Sequence, residues 1–346
     1  MGLLAELTAG YDVVLVSPTS VGMGGIARHV SGLVSRLVEK GYKVAVISSE
    51  NTPVLGVKGL KNPSFMVTSS LKAWFYRGQV VHAHNLPSSP AMRLARAGKR
   101  ILTLHGVYAE QVGLLHGTVL GNAAAFFEKV FLTWADVVTT VSRQAAATYK
   151  SLGFETVYIP NAVEIPHKVE RMRLGMRQVV NVGRLSREKN VEALLSAARQ
   201  LPETTFVIVG GGPEYHRLKS LSKGLKNVVF TGEVSHDKAL GYIAGSDLLV
   251  LPSLVEGLST VLLEAMACKT PVIATRVGGN VELVKHGYTG VLIEPADIQA
   301  LVEAIRKLLD DRPFAVKLAE NAYKMVLENF SWDAVFPKYL EVYGLE

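Results

Sequence analysis

Two carboxylates eight residues apart, Glu256 and Glu264, bracket the stretch E-G-L-S-T-V-L-L-E. The apolar run Leu248 to Leu251 before it reads as a buried strand, ended by Pro252 and Ser253. Leu262 to Ala267 reads as a buried helix, stopped by Lys269-Thr270-Pro271. Glu256 then falls in the strand-to-helix turn and Glu264 inside the helix. A carboxylate among Leu, Ala and Met is costly unless something satisfies it. Eight helical residues would rise about 12 Å, the separation of the two polyol ends of a sugar nucleotide, its hexose and its ribose. Between them, the amides of Gly257, Leu258 and Ser259 sit at a helix N-terminus, where anions bind. The stretch thus reads as carboxylate, anion site, carboxylate. A turn glutamate plus a glutamate paired to a structural arginine fits it as well.

A second cluster of chemistry-bearing residues is Arg184 and Lys189. They flank the turn after an apolar strand, Gln178 to Gly183, and before a helix, Val191 to Leu201, with Asn190 as a plausible N-cap. Two cations there suit a diphosphate, Arg as a planar fork and Lys as a point charge; plain surface charges are the alternative. Gly22-Met-Gly24-Gly25-Ile-Ala27 formally matches G-x-G-x-x-A, and Glu50 ends the following strand, as in a dinucleotide fingerprint. Here, however, Pro18 to Val21 intervene between strand and first glycine. Bare amides of Gly24 and Gly25 opening a helix can approach a phosphate closely. His82 and His84 end one strand and His105 another. The H-x-H spacing invites a metal, but no third ligand follows at sensible spacing, so no metal is expected.

Several of these segments resemble retaining glycosyltransferases of family 4, of the GT-B fold. The carriers are the E-x7-E of Glu256 and Glu264, V-G-R-L-S-R-E-K-N around Arg184 and Lys189, G-G-I-A-R from Gly24 to Arg28, and I-V-G-G-G-P ending at Pro213. Asn190 replaces the family's glycine. The resemblance covers nearly the whole chain, densest over residues 178–295. It implies an α/β chain of two Rossmann-like doubly wound domains facing across a cleft. It also implies transfer of a hexosyl group from a UDP- or GDP-sugar with retained anomeric configuration, without cofactor or metal. The implied catalytic residues are His105, Glu256, Arg184 and Lys189. Arg184 and Lys189 neutralise the leaving diphosphate, Glu256 holds hexose hydroxyls, and His105 orients the sugar near its C6. The implied donor-binding residues are Gly24, Gly25, Val234, Gly257, Leu258, Ser259 and Glu264. Glu264 would hold the ribose diol and Val234 offer backbone to the base. A related sugar-nucleotide epimerase or phosphorylase, a non-catalytic binding subunit and an NAD-dependent enzyme are the other readings.

The elements that must position these residues follow from the patterning. The chain has 346 residues, 49% hydrophobic and 19% charged, enough for two packed cores and too long for one ordinary domain. Residues 1–163 show strand-helix alternation, and 164–177 read as an exposed linker. Residues 178–329 alternate again, and a last helix within 330–346 returns to the first domain. The lone Cys268 excludes an internal disulfide and reads as a small buried hydrophobe. No apolar run spans a membrane and Met1 to Gly10 lacks a basic n-region. A cytoplasmic location, at most peripheral at the inner membrane face, is expected. The net charge of +7 favours anionic partners. Arg93, Arg96 and Arg100, placed on one helical side near the apolar stretch 107–134, suggest an anionic lipid or phosphorylated acceptor and contact with a membrane surface. No nucleic-acid partner is expected.

Overall fold

The computed structural model describes residues 10–20, 24–57, 60–108 and 118–345. Gly22 of the glycine motif, and Leu114 and Leu115 of the 107–134 stretch, lie outside them. The chain divides into two compact units, Met1–Pro160 with Val335–Glu346, and Asn161–Ala334.

The first unit holds a six-stranded sheet: β1 Gly10–Ser17, β2 Val44–Ser48, β3 Arg77–His84, β4 Arg96–Leu104, β5 Val137–Thr140 and β6 Val157–Tyr158. The order is β2-β1-β3-β4-β5-β6 and every pairing is parallel. Val13 to Val16 of β1 are fully buried, as a strand covered on both faces requires. The second unit repeats the plan with β7 Gln178–Val182, β8 Thr205–Val209, β9 Val228–Gly232, β10 Leu248–Leu251, β11 Val272–Thr275 and β12 Val291–Ile293. Its order is β12-β11-β10-β7-β8-β9, again all parallel.

Both sheets have one point where the order reverses. In the second, β7 and β10 are neighbours although β8 and β9 separate them in sequence. Loops leaving the carboxyl ends of such neighbours diverge to opposite sides and open a crevice. Arg184 and Lys189 follow β7, and Glu256 follows β10.

Several sequence expectations change here. Residues 164–177 belong to the second unit and are tied to it: the Met172 amide donates to the Gly241 carbonyl at 2.9 Å and Arg173 pairs with Asp247 at 2.6 Å. Lacking apolar periodicity, they lie on it as irregular chain. Arg93 lies on the helix Ser89–Leu94, but Arg96 and Arg100 lie on β4, so the three do not share a helical side. The periodicity was ambiguous because β4 opens with Arg96-Ala-Gly-Lys-Arg100, a polar edge before its buried half. The terminal helix runs Trp332–Tyr343, and its residues from Val335 belong to the first unit.

Candidate active site

The turn after β7 is built by backbone contact with the neighbouring glycines. The Gly183 amide donates to the Val209 carbonyl and the Leu185 amide to the Gly211 carbonyl, at 3.0 and 2.8 Å. A Cβ at Gly210 would stand 2.0 Å from the Gly183 carbonyl oxygen, so only glycine allows this approach. The contact presents Arg184 outward: it is exposed, and among the described residues its side chain has no hydrogen-bond or ionic partner. A short 3-10 turn, Arg187–Lys189, follows. Asn190 then adopts the left-handed conformation, φ 47° and ψ 41°, and makes no side-chain cap. The expected N-cap bond is absent because the residue's work is conformational. Asn is the side chain that best tolerates this region after Gly, which explains how it replaces the family's glycine.

The turn after β10 carries Glu256. Its Oε1 accepts from the Lys189 ammonium at 2.5 Å and from the Ser253 hydroxyl at 2.7 Å, and its side chain is only 8% exposed. The two turns are also joined through backbone, Leu254 amide to Glu188 carbonyl at 2.7 Å. Beneath them, Gly278 and Gly279 of the turn after β11 press on the same loop. The Gly279 amide donates to the Gly257 carbonyl at 2.6 Å, and a Cβ at Gly278 (φ 48°) would lie 1.8 Å from the Glu256 carbonyl oxygen. Asn161 holds the next carbonyl, that of Leu258, at 3.0 Å.

Ser259 caps the following helix, Thr260–Ala267, its hydroxyl accepting from the Leu262 amide at 3.4 Å. Among the described residues no acceptor takes the amides of Gly257, Leu258 or Ser259. Three unclaimed N–H groups therefore cluster at a helix start, where the macrodipole favours an anion. The helix starts only at Thr260, so the path from Glu256 to Glu264 is not eight helical rises as the spacing suggests. Glu264 is buried in that helix and accepts from His236 Nε2 at 2.9 Å. Its partner is thus a histidine, not the arginine of the alternative reading. Val234, half-buried, lies between the end of β9 and Ser235, the N-cap of helix His236–Gly245. Val234 and His236 therefore leave the same strand end.

Sequence reasoning missed His236, Ser253 and Asn161. Two signals were present: Ser235-His236 opening a helix directly after Val234, and the Pro160-Asn161 pair. Cys268, at the C-cap of the Glu264 helix, is half-buried rather than buried. Burial, then the nearby Glu264 carboxylate, push its thiol up to about 12, which keeps it protonated and un-nucleophilic near neutral pH.

In the first unit Gly24, exposed, is the N-cap of the fifteen-residue helix Gly25–Glu39. Among the described residues nothing lies within 4 Å of a Cβ placed at Gly24. Glu50 does not wait for a ribose: its carboxylate accepts from the Thr19 hydroxyl, the Ser20 amide and the Ser20 hydroxyl, each at 3.1 Å. Burial would raise it, but these bonds, with one from Ser48, outweigh that and lower it. Glu50 fastens the loop after β1 instead.

His105 follows β4 directly and is half-buried. Its amide donates to Asn85 Oδ1 at 3.0 Å and its Nε2 is hydrogen-bonded to His84 Nδ1 at 3.1 Å. Below it lie His82, bonded to Tyr343 at 2.7 Å and Thr103 at 2.6 Å, and His29, bonded to Tyr339 at 2.8 Å. Burial, then the neighbouring His105, lower His82 to about 3. Burial likewise holds His29 and His84 well below the ordinary value. All three are neutral, hydrogen-bonded core groups. Among the described residues no group of three or more His, Cys, Asp or Glu is arranged to hold a metal.

Two doubly wound parallel sheets in one chain, with cations and carboxylates at a switch point, is the arrangement of the GT-B glycosyltransferase class. The family of Glycosyl transferases group 1 matches residues 164–325, and Glycosyltransferase Family 4 matches residues 23–166. The chain belongs to this group 1, family 4 set of glycosyltransferases. It is 28% identical to glycogen synthase of Mycobacterium tuberculosis over 377 aligned residues, 93% of this chain and 91% of that one. Among solved structures, sucrose-phosphate synthase from Thermosynechococcus elongatus superposes with a TM-score of 0.83 at 23% identity, covering 96% and 98% of the two chains. Anabaena HepE in complex with UDP and glucose gives 0.74 at 21%, covering 96% and 100%.

Proposed function

We propose that this glycosyltransferase moves a hexosyl group from a UDP- or GDP-sugar, with retention, to a lipid-linked, glycan or small-molecule acceptor. The observation that carries the reading is the constellation of the second unit: three unclaimed amides at a helix start, bracketed by Glu256 and Glu264 and accompanied by Arg184 and Lys189. A sugar nucleotide has the matching sequence of parts, a polyol, a diphosphate and a second polyol. HepE, of the same fold, binds UDP and glucose, which supports this donor class.

In the proposed reaction the bond from C1 of the hexose to the diphosphate oxygen breaks, and its electron pair leaves with the diphosphate. The acceptor hydroxyl oxygen bonds to C1 on the same face, and its proton passes to the departing diphosphate. Arg184 and the amides stabilise the charge growing on that group, the largest contribution available without a metal or cofactor. Lys189 and Glu256 work together, the ammonium toward phosphate and the carboxylate toward hexose hydroxyls. Glu264, oriented by His236, takes the ribose diol, and the backbone around Val234 takes the base. Gly24, Gly25 and His105 belong to the donor and transfer machinery of the first unit. An anionic lipid or lipid phosphate as acceptor fits the net charge of +7 and a peripheral place at the inner face of a membrane. Among the described residues no helix is long and apolar enough to cross one.

A thermal-shift screen over UDP-, GDP- and ADP-sugars tests the donor. Mass spectrometry and anomeric NMR of products with lipid-phosphate and soluble acceptors test the transfer. Stabilisation by one nucleotide class and an acceptor product of unchanged anomeric configuration are expected. Donor converted to an isomer in the acceptor's absence would show an epimerase instead.

A further inference from the structure

The helix Lys61–Ala73 of the first unit turns Phe65 and Ala73 into the core and presents a second apolar face outward. Val67 is 61% exposed, Leu71 66%, and Trp74 and Phe75, just past its end, 57% and 58%. Leu60, Val67 and Trp74 recur at seven residues and Val67, Leu71 and Phe75 at four, so they form one stripe. Two large aromatics and three aliphatics left in water on one helix face mark a docking surface rather than scattered surface apolars.

The charge around the stripe identifies its partner. From Asn51 to Ala109 the sequence has no Asp or Glu and eight Lys or Arg; the rest of the chain has 29 basic and 30 acidic residues. The whole net positive charge thus resides in this segment. Immediately after the stripe, Arg77 opens β3, and the Arg96 amide bonds the Tyr76 carbonyl at 3.1 Å. Arg77, Arg96 and Arg100, with Tyr11, Asp12 and Gln79, line a cavity of about 790 Å³ at the amino ends of β1, β3 and β4. The Asp12 oxygens are taken by the Lys43 amide and Gln79. The three guanidinium groups have no ionic partner among the described residues, and the buried Nε of Arg100 has no hydrogen-bond acceptor.

We propose that this face docks on an anionic phospholipid bilayer, the Leu60–Phe75 stripe entering the acyl boundary and the arginine cavity taking lipid phosphate. An apolar stripe needs an apolar phase, and a net-basic surround whose lining acid, Asp12, is already bonded to Lys43 and Gln79 needs anionic headgroups; a bilayer supplies both. The surface needs neither the donor nor the acceptor assigned above, so it is tested without sugar nucleotide and its failure leaves the transferase reading intact.

The test is flotation with phosphatidylcholine vesicles, with and without phosphatidylglycerol, at low and high salt. Binding is expected only with phosphatidylglycerol, with Trp74 emission shifted to the blue and quenched by brominated acyl chains. Trp74→Phe identifies that signal while keeping the surface. Trp74→Ser/Phe75→Ser, both at exposed positions, lowers binding roughly tenfold or more. Arg77→Gln and Arg96→Gln each lower it roughly fivefold. No wild-type binding at low salt overturns the proposal, a readout that needs no variant to fold. Binding lost with the arginines but indifferent to Trp74 and Phe75 overturns it in favour of simple charge attraction. A sedimentation shift to dimer abolished by Trp74→Ser/Phe75→Ser, without vesicle binding, overturns it in favour of a second copy of this chain.

Discussion

The Lys189 ammonium lies 2.5 Å from the Glu256 carboxylate. The cation after β7 and the carboxylate after β10, 67 residues apart in sequence, therefore form one charge-balanced unit. Arg184 stands in contrast, exposed and without a side-chain partner among the described residues. The two cations of a single motif thus have different structural duties.

Arg184→Ala removes no contact within the fold, so its melting temperature stays at the wild-type value. Turnover falls roughly 100- to 1000-fold, the scale set by removing one group that stabilises transition-state charge. Steady-state kinetics beside a melting curve checks both halves. Wild-type turnover in this variant would remove Arg184 from the mechanism.

Lys189→Met strands the mostly buried Glu256 carboxylate with Ser253 alone and costs about 3 kcal/mol of stability. Adding Glu256→Gln removes the stranded charge and returns most of that stability, while activity stays low. Urea denaturation of the two single variants and the double gives the coupling. Additive losses would mean that the pair does not act as a unit.

Gly278→Ala and Gly287→Ala separate conformation from contact. Both glycines have positive φ, 48° and 74°, but only Gly278 faces the Glu256 carbonyl; a Cβ at Gly287 meets nothing within 4 Å. Gly287→Ala costs about 1 kcal/mol. Gly278→Ala costs about 3 kcal/mol or more, from strain and overpacking together, and impairs activity by moving the Glu256 turn. Equal losses of stability would show that the 278–279 turn does not press on that loop.

Acid should unfold the protein earlier than its carboxylates alone require. His29, His82 and His84 have folded values below the ordinary 6.5, His82 at about 3. Between these values the unfolded chain binds more protons than the folded one, so stability rises with pH there. The histidine contribution is therefore complete above about pH 6.5 and is lost progressively as the pH falls below it. Urea midpoints at about pH 7, 6 and 5 measure the slope. A flat profile over that interval would mean that these rings are not buried neutral.

Much of this was legible in the sequence for a physical reason. Parallel strands covered on both faces are short apolar runs, and Leu248–Leu251 has the same limits in pattern and structure. Caps were harder to read: Asp297 accepts from the Ala300 amide at the start of its helix, whereas Asn190 makes no side-chain cap. What could not be read was pairing across sequence. Nothing local connects Glu264 to His236 or Leu258 to Asn161; the sheet order brings them together. Arg96 and Arg100 show the opposite limit, because four-residue spacing suits a helix face and alternate strand positions equally well.

The terminal helix has a consequence for synthesis. Tyr339 and Tyr343 are made 310 and 261 residues after His29 and His82, to which they are hydrogen-bonded. The nascent first unit cannot close its interior before the second unit has been synthesised. Its final consolidation waits for the residues from Val335 onward, which follow the whole of the second unit in the chain.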